Sequence, residues 1–233
     1  MNCWRWLEQR QPGSPEFNMA MDAALLGELR DDEATMPIIR VYLWDRPSVS
    51  FGRLQSEAAV ENYYPNLPRI RRPTGGRAVV HGEDLTITAA LLTSHLPSHC
   101  KPSVLGAYRL ILAGVVQGLC RVGVVTQFGS DNPVNASKKS VNCFDLADGC
   151  DLIDARTGRK ILGSAQRREG EAILQQMSLP LAVIPNLADF IDVLKSAFQE
   201  ALEIGVWQTI DTTRTVWYTG NEESEECPWR VKS

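Results

Sequence analysis

The chain has 233 residues, 44% of them hydrophobic, and a formal net charge of −4 with a sequence pI near 5.5. This length suffices for one sizeable core, so we expect a single domain over residues 1–233 rather than two small ones. The acidic balance argues against a general nucleic-acid-binding protein, because neutralising phosphates requires clustered Lys and Arg.

Cysteine and histidine usage argues against a structural metal site. The six cysteines form no C-x-x-C pair and there are only three histidines, so no zinc-ligand spacing can be assembled. The polar opening MNCWRWLEQRQ does not resemble a signal peptide, and no stretch approaches the roughly 18 apolar residues of a membrane span. We therefore expect a reduced, cytoplasmic protein with no metal and no membrane contact.

Residue spacing and composition predict six strands and one helix in the N-terminal part of the chain. The helix is indicated by apolar residues at three- and four-residue spacing, and the strand LTITAALL has the composition of a strand packed on both faces. In chain order the predicted elements are a strand at 3–7, a helix at 17–30, and strands at 38–44, 49–51, 69–72, 78–81 and 85–92.

The rest of the chain is predicted to contain two helices and three strands around a long polar loop. The loop, 129–142, is rich in Ser, Asn and Lys and lacks periodicity, which is typical of a mobile or functional loop. The elements are a helix at 103–119, strands at 150–153, 160–165 and 172–181, a helix at 187–202, and then an acidic tail. Because strands come in pairs with helices between the groups, we predict an α+β fold with a mixed β-sheet flanked by helices.

The segment RRPTGGRAVVHG, 71–82, places two arginines and a double glycine between two predicted strands. Adjacent glycines allow a ligand to approach the backbone closely, and Arg and Thr side chains can bind an anion or a carbonyl group. A tight turn with solvated arginines is the alternative, because a Gly-Gly pair alone is weak evidence for a site.

Lys160 opens the apolar strand in GRKILGSAQRR, which becomes small and polar after Leu162. A lysine in this position can place its ammonium group in a pocket, where it would stabilise an oxyanion or a neighbouring thiolate. The alternative is a surface lysine whose stem lies along the strand.

Cys143 directly follows the polar loop, within the sequence VNCFD. A nearby cation would favour its nucleophilic thiolate form, and the candidates are Lys160 and the arginines of 71–82. The alternative is a buried, inert cysteine, which is how we interpret Cys120 in its helix and also Cys100.

In order and spacing these segments resemble the lipoate-protein ligase, octanoyltransferase and biotin ligase superfamily over nearly the whole chain. The similarity runs from FNMAMDAALL through VYLWDRPSVSFGRLQ and RRPTGGRAVVHGEDLTITAAL to CFDLADGCDLI and GRKILGSAQRREGEAILQQMSL. Ligases of the superfamily usually carry Asn-Asp just before the next strand, and the Cys143-Phe144 pair instead resembles the cysteine-dependent octanoyltransferases that load the glycine-cleavage H protein. The resemblance implies a catalytic domain like those of class II aminoacyl-tRNA synthetases and biotin synthetase, without the accessory domain of many lipoate ligases.

The resemblance also implies roles for individual residues. Cys143 would take the acyl group as a thioester, and Lys160 would polarise the acyl carbonyl and stabilise the thiolate and the oxyanion. Gln176-Met177 stands where many relatives have His-Gly, which leaves the shape of the acyl tunnel and its chain-length preference open. The residues implied to bind substrate are Arg72, Thr74, Gly75, Gly76, Arg77, His81, Gly163, Ser164 and Ala165.

The resulting hypothesis is an acyltransferase of protein lipoylation. It would move an octanoyl or lipoyl group from acyl carrier protein through Cys143 to a lysine of a lipoyl-carrier protein, either the glycine-cleavage H protein or the lipoyl domain of a 2-oxoacid dehydrogenase E2 subunit. It needs no cofactor, because a thioester is already activated. Two alternatives stay open: an ATP- and magnesium-dependent lipoate–protein ligase that acts through an acyl-adenylate, and an acyl-binding homologue without turnover.

Overall fold

The computed structural model of the protein describes residues 2–97, 103–129, 140–145 and 147–210, and it confirms the predicted α+β class. The helices are Pro15–Asp31 (α1), Glu57–Tyr63 (α2), Val104–Arg121 (α3) and Leu187–Ala201 (α4). The strands are Cys3–Glu8 (β1), Ile38–Tyr42 (β2), Ser48–Phe51 (β3), Arg69–Arg71 (β4), Val79–His81 (β5), Asp84–Leu92 (β6), Thr126–Phe128 (β7), Leu152–Asp154 (β8), Lys160–Glu169 (β9), Ala172–Pro180 (β10) and Val206–Ile210 (β11).

Side-chain caps determine where the long helices begin. The hydroxyl of Ser14 accepts a hydrogen bond from the backbone of Phe17, and Pro15 occupies the first turn of α1, where a missing N–H costs nothing. Ser103 caps α3 and Asn186 caps α4 in the same way. Each cap satisfies one of the backbone donors that the first helical turn leaves unpaired.

Two sheets form the frame of the domain. The large one has eight strands in the order β11-β1-β2-β6-β10-β9-β8-β7, with β1 parallel to both β11 and β2 and the remaining neighbours antiparallel. The small one has the order β4-β3-β5. The large sheet is therefore mixed, as the pairing of predicted strands indicated.

Helices cover both faces of the large sheet. Alternate residues of a strand point to opposite faces, so the cross-strand pair Ile38 and Ala90 packs under α1 while the next pair, Ile39 and Ala89, belongs to the core formed with α3 and α4. This double coverage explains why every residue of β6 is buried.

The face of the large sheet under α1 also carries two rows of polar and small residues in register. The first row crosses β2, β6, β10 and β9 through Tyr42, Thr86, Ser178 and Gly163. The second row runs parallel to it through Arg40, Thr88, Gln176 and Ala165. Buried polar groups require partners, so these rows mark the part of the core where the structure is most constrained by hydrogen bonds.

Arg40 and Asp22 form a fully buried ion pair within this region. Their side chains are both 0% exposed, and the distance from Nη1 to Oδ1 is 2.6 Å. We expect Arg40→Leu to lower the free energy of unfolding by about 3–5 kcal/mol, because it leaves the Asp22 carboxylate buried without its cation. Urea unfolding measures the loss, with Arg10→Leu at an exposed ion pair as the control. Equal losses in the two variants would contradict the prediction.

The strands that flank the Gly-Gly segment do not pair with one another. Strands β4 and β5 lie on opposite edges of β3, so residues 72–78 form a connection that crosses the end of β3 rather than a tight turn. The short elements α2, β7 and β11 were absent from the sequence prediction. Most of the loop 129–142 and the whole acidic tail lie outside the described residues.

The interpretation of Cys120 as a buried cysteine is wrong, since its side chain is exposed near the end of α3. The helix turns Ile111, Leu112, Val115 and Leu119 to the core instead. Cys100 lies outside the described residues.

Helix α3 is the one helix within the described ranges that is long and apolar enough to cross a membrane by length and composition. This differs from the expectation that no stretch approaches a membrane span. In the fold, Ile111 and Val115 of α3 are 0% exposed and pack with Phe190 and Phe198 of α4. The packing accounts for the apolar face of α3 as part of the protein core.

Candidate active site

A cavity lies where the two sheets meet. Its lining comes from β2, β6, β9 and β10 of the large sheet, from β3 and β5 of the small sheet, from α1, and from the connection between β4 and β5. Much of the wall is apolar, with Met19, Trp44 and Val79 among the lining residues. Apolar walls with a few polar groups are typical of small-molecule sites.

Cys143 reaches this cavity from a short 3₁₀ turn, Cys143–Asp145. Its backbone N–H donates to the carbonyl of Ala78 at 2.8 Å, which fixes the turn beside the start of β5. On the other side, a Cβ added at Gly163 would lie 3.2 Å from Sγ of Cys143. The absence of a side chain at Gly163 therefore lets the thiol lie directly against β9.

Lys160, the first residue of β9, points its ammonium group at Cys143. Nζ lies 3.2 Å from Sγ and 2.8 Å from the carbonyl oxygen of Cys143. The side chain is only 4% exposed, so the alternative of a surface lysine is wrong. A buried ammonium group in this position can stabilise negative charge on an oxygen or sulfur atom beside it.

Asp151 holds Lys160 from the side opposite the thiol. Its Oδ2 accepts from Nζ at 2.7 Å, and its Oδ1 accepts from the backbone N–H of Ser164 at 3.2 Å. Burial raises the pKa of Asp151 above its ordinary value, although the ammonium of Lys160 acts in the opposite direction. Asp151 thus positions both the lysine and the strand segment that carries Ser164.

Arg72 lies on the cavity wall and is buried, whereas Arg71 is exposed. The Arg72 guanidinium donates to the backbone carbonyls of Ser50, Gly75 and Arg77 at 3.1, 2.5 and 2.7 Å. Burial lowers its pKa to about 10, and negative charge at Cys143 acts to raise it. Arg72 is therefore still a cation at neutral pH. Of the two arginines, Arg71 is solvated, as the alternative interpretation proposed, and Arg72 is not.

The structure brings most of the predicted site residues to this one cavity. Those on its wall are Arg72, Gly76, His81, Cys143, Gly163, Ser164 and Ala165. Thr74, Gly75 and Arg77 lie behind the wall, where Thr74 donates to Gln176 at 2.6 Å and the other two supply carbonyls to Arg72. That any of these residues contacts the substrate stays a prediction.

Gln176 and Met177, which stand where many relatives have His-Gly, both line the cavity. Gln176 accepts from Thr74 through Oε1 and donates to Asp22 at 2.7 Å through Nε2, so both ends of its amide are fixed. The side chain of Met177 points to the other face of β10, where it belongs to the core formed with α3 and α4. Gln176 therefore ties the Gly-Gly connection to α1.

Several residues of the site were not singled out from the sequence. Asp151 and Asp84 each begin or precede an apolar strand, and that position is the one signal the sequence offers for them. Trp44, Ser50 and Ser178 carry no local signal, because only strand register and sheet packing bring them to the cavity.

Fold and site together define a catalytic domain built around a cysteine and a buried lysine. Residues 14–209 match the model of the lipoyl protein ligase A/B catalytic domain, and the chain belongs to this family. Curated relatives include octanoyltransferase LipM of Halalkalibacterium halodurans, 34% identical over 194 residues, and that of Bacillus subtilis, 34% identical over 189 residues. The matches cover 78% and 76% of this chain but 67% and 65% of those proteins, so the chain spans about two thirds of their length.

Solved structures with the same fold include a putative lipoate protein ligase of T. acidophilum with bound lipoic acid. It has a TM-score of 0.70 at 20% identity, covering 90% of this chain and 89% of that chain. A lipoate-protein ligase A bound with ATP gives 0.68 at 20% identity, covering 90% of each chain. Likeness at this level of identity establishes the fold, the predicted mixed sheet flanked by helices.

Proposed function

We propose that the chain is an acyltransferase that moves an octanoyl or lipoyl group from acyl carrier protein to a lysine of a lipoyl-carrier protein. The observation that carries the proposal is the 3.2 Å contact between Nζ of Lys160 and Sγ of Cys143 on the wall of an apolar cavity. A thiol beside a buried cation is the arrangement that an acyl-enzyme mechanism requires. The relatives named octanoyltransferase support this activity over the ligase alternative.

In the first step the Cys143 thiolate attacks the carbonyl carbon of the donor thioester. Negative charge moves to the carbonyl oxygen, and the tetrahedral intermediate collapses with cleavage of the donor C–S bond. The donor thiolate leaves and takes up a proton, and the acyl group stays on Cys143 as a new thioester. Because one thioester replaces another, this step requires neither ATP nor magnesium.

In the second step the neutral ε-amine of an acceptor lysine attacks the acyl group on Cys143. A C–N bond forms while the C–S bond breaks, the amine loses a proton, and the Cys143 thiol is restored. The product amide is more stable than the thioester, which makes the overall transfer downhill. The acceptor would be the glycine-cleavage H protein or the lipoyl domain of a 2-oxoacid dehydrogenase E2 subunit.

The test of this function is intact-protein mass spectrometry after mixing the protein with octanoyl-carrier protein, with and without ATP and magnesium. We expect an octanoyl adduct that is labile to hydroxylamine and forms equally well without ATP. Acceptor modification only when ATP and free octanoate or lipoate are supplied would instead establish a ligase. An adduct that never transfers to any acceptor would indicate the acyl-binding homologue.

A further inference from the structure

The wall of the cavity beyond Cys143 contains several hydrogen-bond donors, although an octanoyl chain is apolar. The row Gly163, Ser178, Thr86 and Tyr42 spans the cavity from β9 to β2. Neighbouring strands are about 4.8 Å apart, so an acyl chain attached at Cys143, beside Gly163, extends past Ser178 toward Thr86 and Tyr42. The direction in which these donors point determines whether the distal part of the acyl chain meets a free hydrogen-bond donor.

Three hydrogen-bond chains lead from the cavity wall to one carboxylate, that of Asp84. Ser178 donates directly to Oδ2 of Asp84 at 2.7 Å. Trp44 donates to the hydroxyl of Thr86 at 2.8 Å, and Thr86 donates to Oδ2 at 3.1 Å. The third chain runs from Ser50 through His81, with Ser50 Oγ at 2.7 Å from Nε2 and Nδ1 at 2.9 Å from Oδ2.

The direction of the bond between His81 and Asp84 follows from the chemistry of the carboxylate. Burial acts to raise the pKa of Asp84, but attraction to His81 and hydrogen bonds from His81, Ser178 and Gly82 outweigh it, so the pKa lies below its ordinary value. A carboxylate only accepts, so Nδ1 of His81 carries the hydrogen that it donates to Asp84, and Nε2 pairs with the hydroxyl of Ser50. Arg72 in turn donates to Ser50 Oγ at 3.3 Å.

The remaining polar groups of the distal wall end at a second carboxylate. Tyr42 donates to Oδ2 of Asp22 at 2.8 Å, and Gln176 donates to the same atom at 2.7 Å. These hydrogen-bond donors along the path of the acyl chain are thus already used by the two carboxylates.

We propose that Asp84 is a specificity-determining residue, because it draws the donors of Trp44, His81, Thr86 and Ser178 away from the cavity. The polar wall then offers none of these donors to the substrate, and acyl chains with an oxygen near their distal end are excluded. The inference rests on the proposed function, because it takes the cavity to be the acyl site. An oxygen brought into this part of the cavity would lose its water without gaining a donor, which is costly.

The test compares binding of octanoate and of 7-oxooctanoate, whose ketone oxygen only accepts, by calorimetry. For the wild type we expect octanoate to bind roughly tenfold or more tightly, in line with the cost of an unpaired buried polar group. In Asp84→Ala the hydroxyls of Ser178 and Thr86 are released to rotate toward the ligand, so the preference should fall to within about threefold. Asp84→Asn keeps the shape of the side chain and one acceptor oxygen, so its preference for octanoate should lie between those of the wild type and Asp84→Ala. If the alanine variant does not fold, the preference measured for Asp84→Asn tests the inference.

Thr88→Val is the control for loss of a buried polar group on the same strand face. Thr88 donates to Asp22 rather than Asp84 and does not line the cavity, so the variant should keep the wild-type preference. A preference unchanged in folded Asp84→Asn or Asp84→Ala overturns the inference, as does failure of the wild type to bind octanoate. If the ratios change as expected but no adduct forms on Cys143, the transferase proposal fails and the role of Asp84 stands.

Discussion

Cys143→Ala is expected to abolish the octanoyl adduct and, with it, transfer to the acceptor lysine. The Sγ atom is the group that bonds to the acyl carbon, and its neighbours Lys160 and Arg72 cannot replace it, because both already act as hydrogen-bond donors to nearby oxygens. The loss should therefore reach the detection limit rather than a fractional rate. Intact mass after incubation with octanoyl-carrier protein measures it, and the fold should survive because Cys143 is only partly buried.

The control for this variant is Cys120→Ala. Cys120 is exposed on α3, so it reports any adventitious acylation of a surface thiol. It should keep the full yield of adduct, located by peptide mapping at Cys143. An adduct of undiminished yield in Cys143→Ala would show that another group accepts the acyl chain.

Lys160→Met is expected to slow formation of the acyl-enzyme by about 10²–10³-fold. Methionine preserves most of the stem but removes the ammonium that lies 3.2 Å from Sγ. The thiolate and the developing oxyanion then lose their nearest buried cation, and the effect should be on the rate constant more than on KM. Stopped reactions over a range of donor concentrations separate the two.

Loss of Lys160 also leaves Asp151 as an unpaired carboxylate in a buried position, which by itself destabilises the fold. The double variant Lys160→Met with Asp151→Asn removes that charge, so it should recover stability without recovering the rate. Lys195→Met, at an exposed lysine that donates to Thr209, is expected to behave as the wild type. Recovery of the rate in the double variant would mean that Lys160 acts only through stability.

The parts of the site that the sequence predicted are those carried by contiguous segments. The strand after Lys160, the glycine at 163 and the cysteine after the polar loop each have a local signature, and the resemblance to the ligase family supplied their order. The burial of both faces of β6 likewise follows from its continuous run of apolar and small residues. These features are local in sequence, so a single chain suffices to predict them.

The carboxylates at positions 22, 84 and 151 could not be predicted in the same way. Asp84 and Asp22 bind partners far along the chain, Ser178 and Gln176, and Asp151 binds Lys160 of the next strand. An isolated Asp in a sequence is most often a solvated surface residue. Only the packing of helix and strands in the folded protein shows that these are buried acceptors.

The pairing of β1 with β11 has a consequence for how the protein is made. Cys3 lies opposite Val206 and Leu7 opposite Ile210, so one edge of β1 stays unpaired until a strand about 200 residues further along the chain has been synthesised. Contacts of such large sequence separation form late, because the intervening loop must first be closed at an entropic cost. During synthesis the nascent chain therefore exposes this strand edge, and chaperone binding or pairing with a second nascent chain competes for it until β11 emerges.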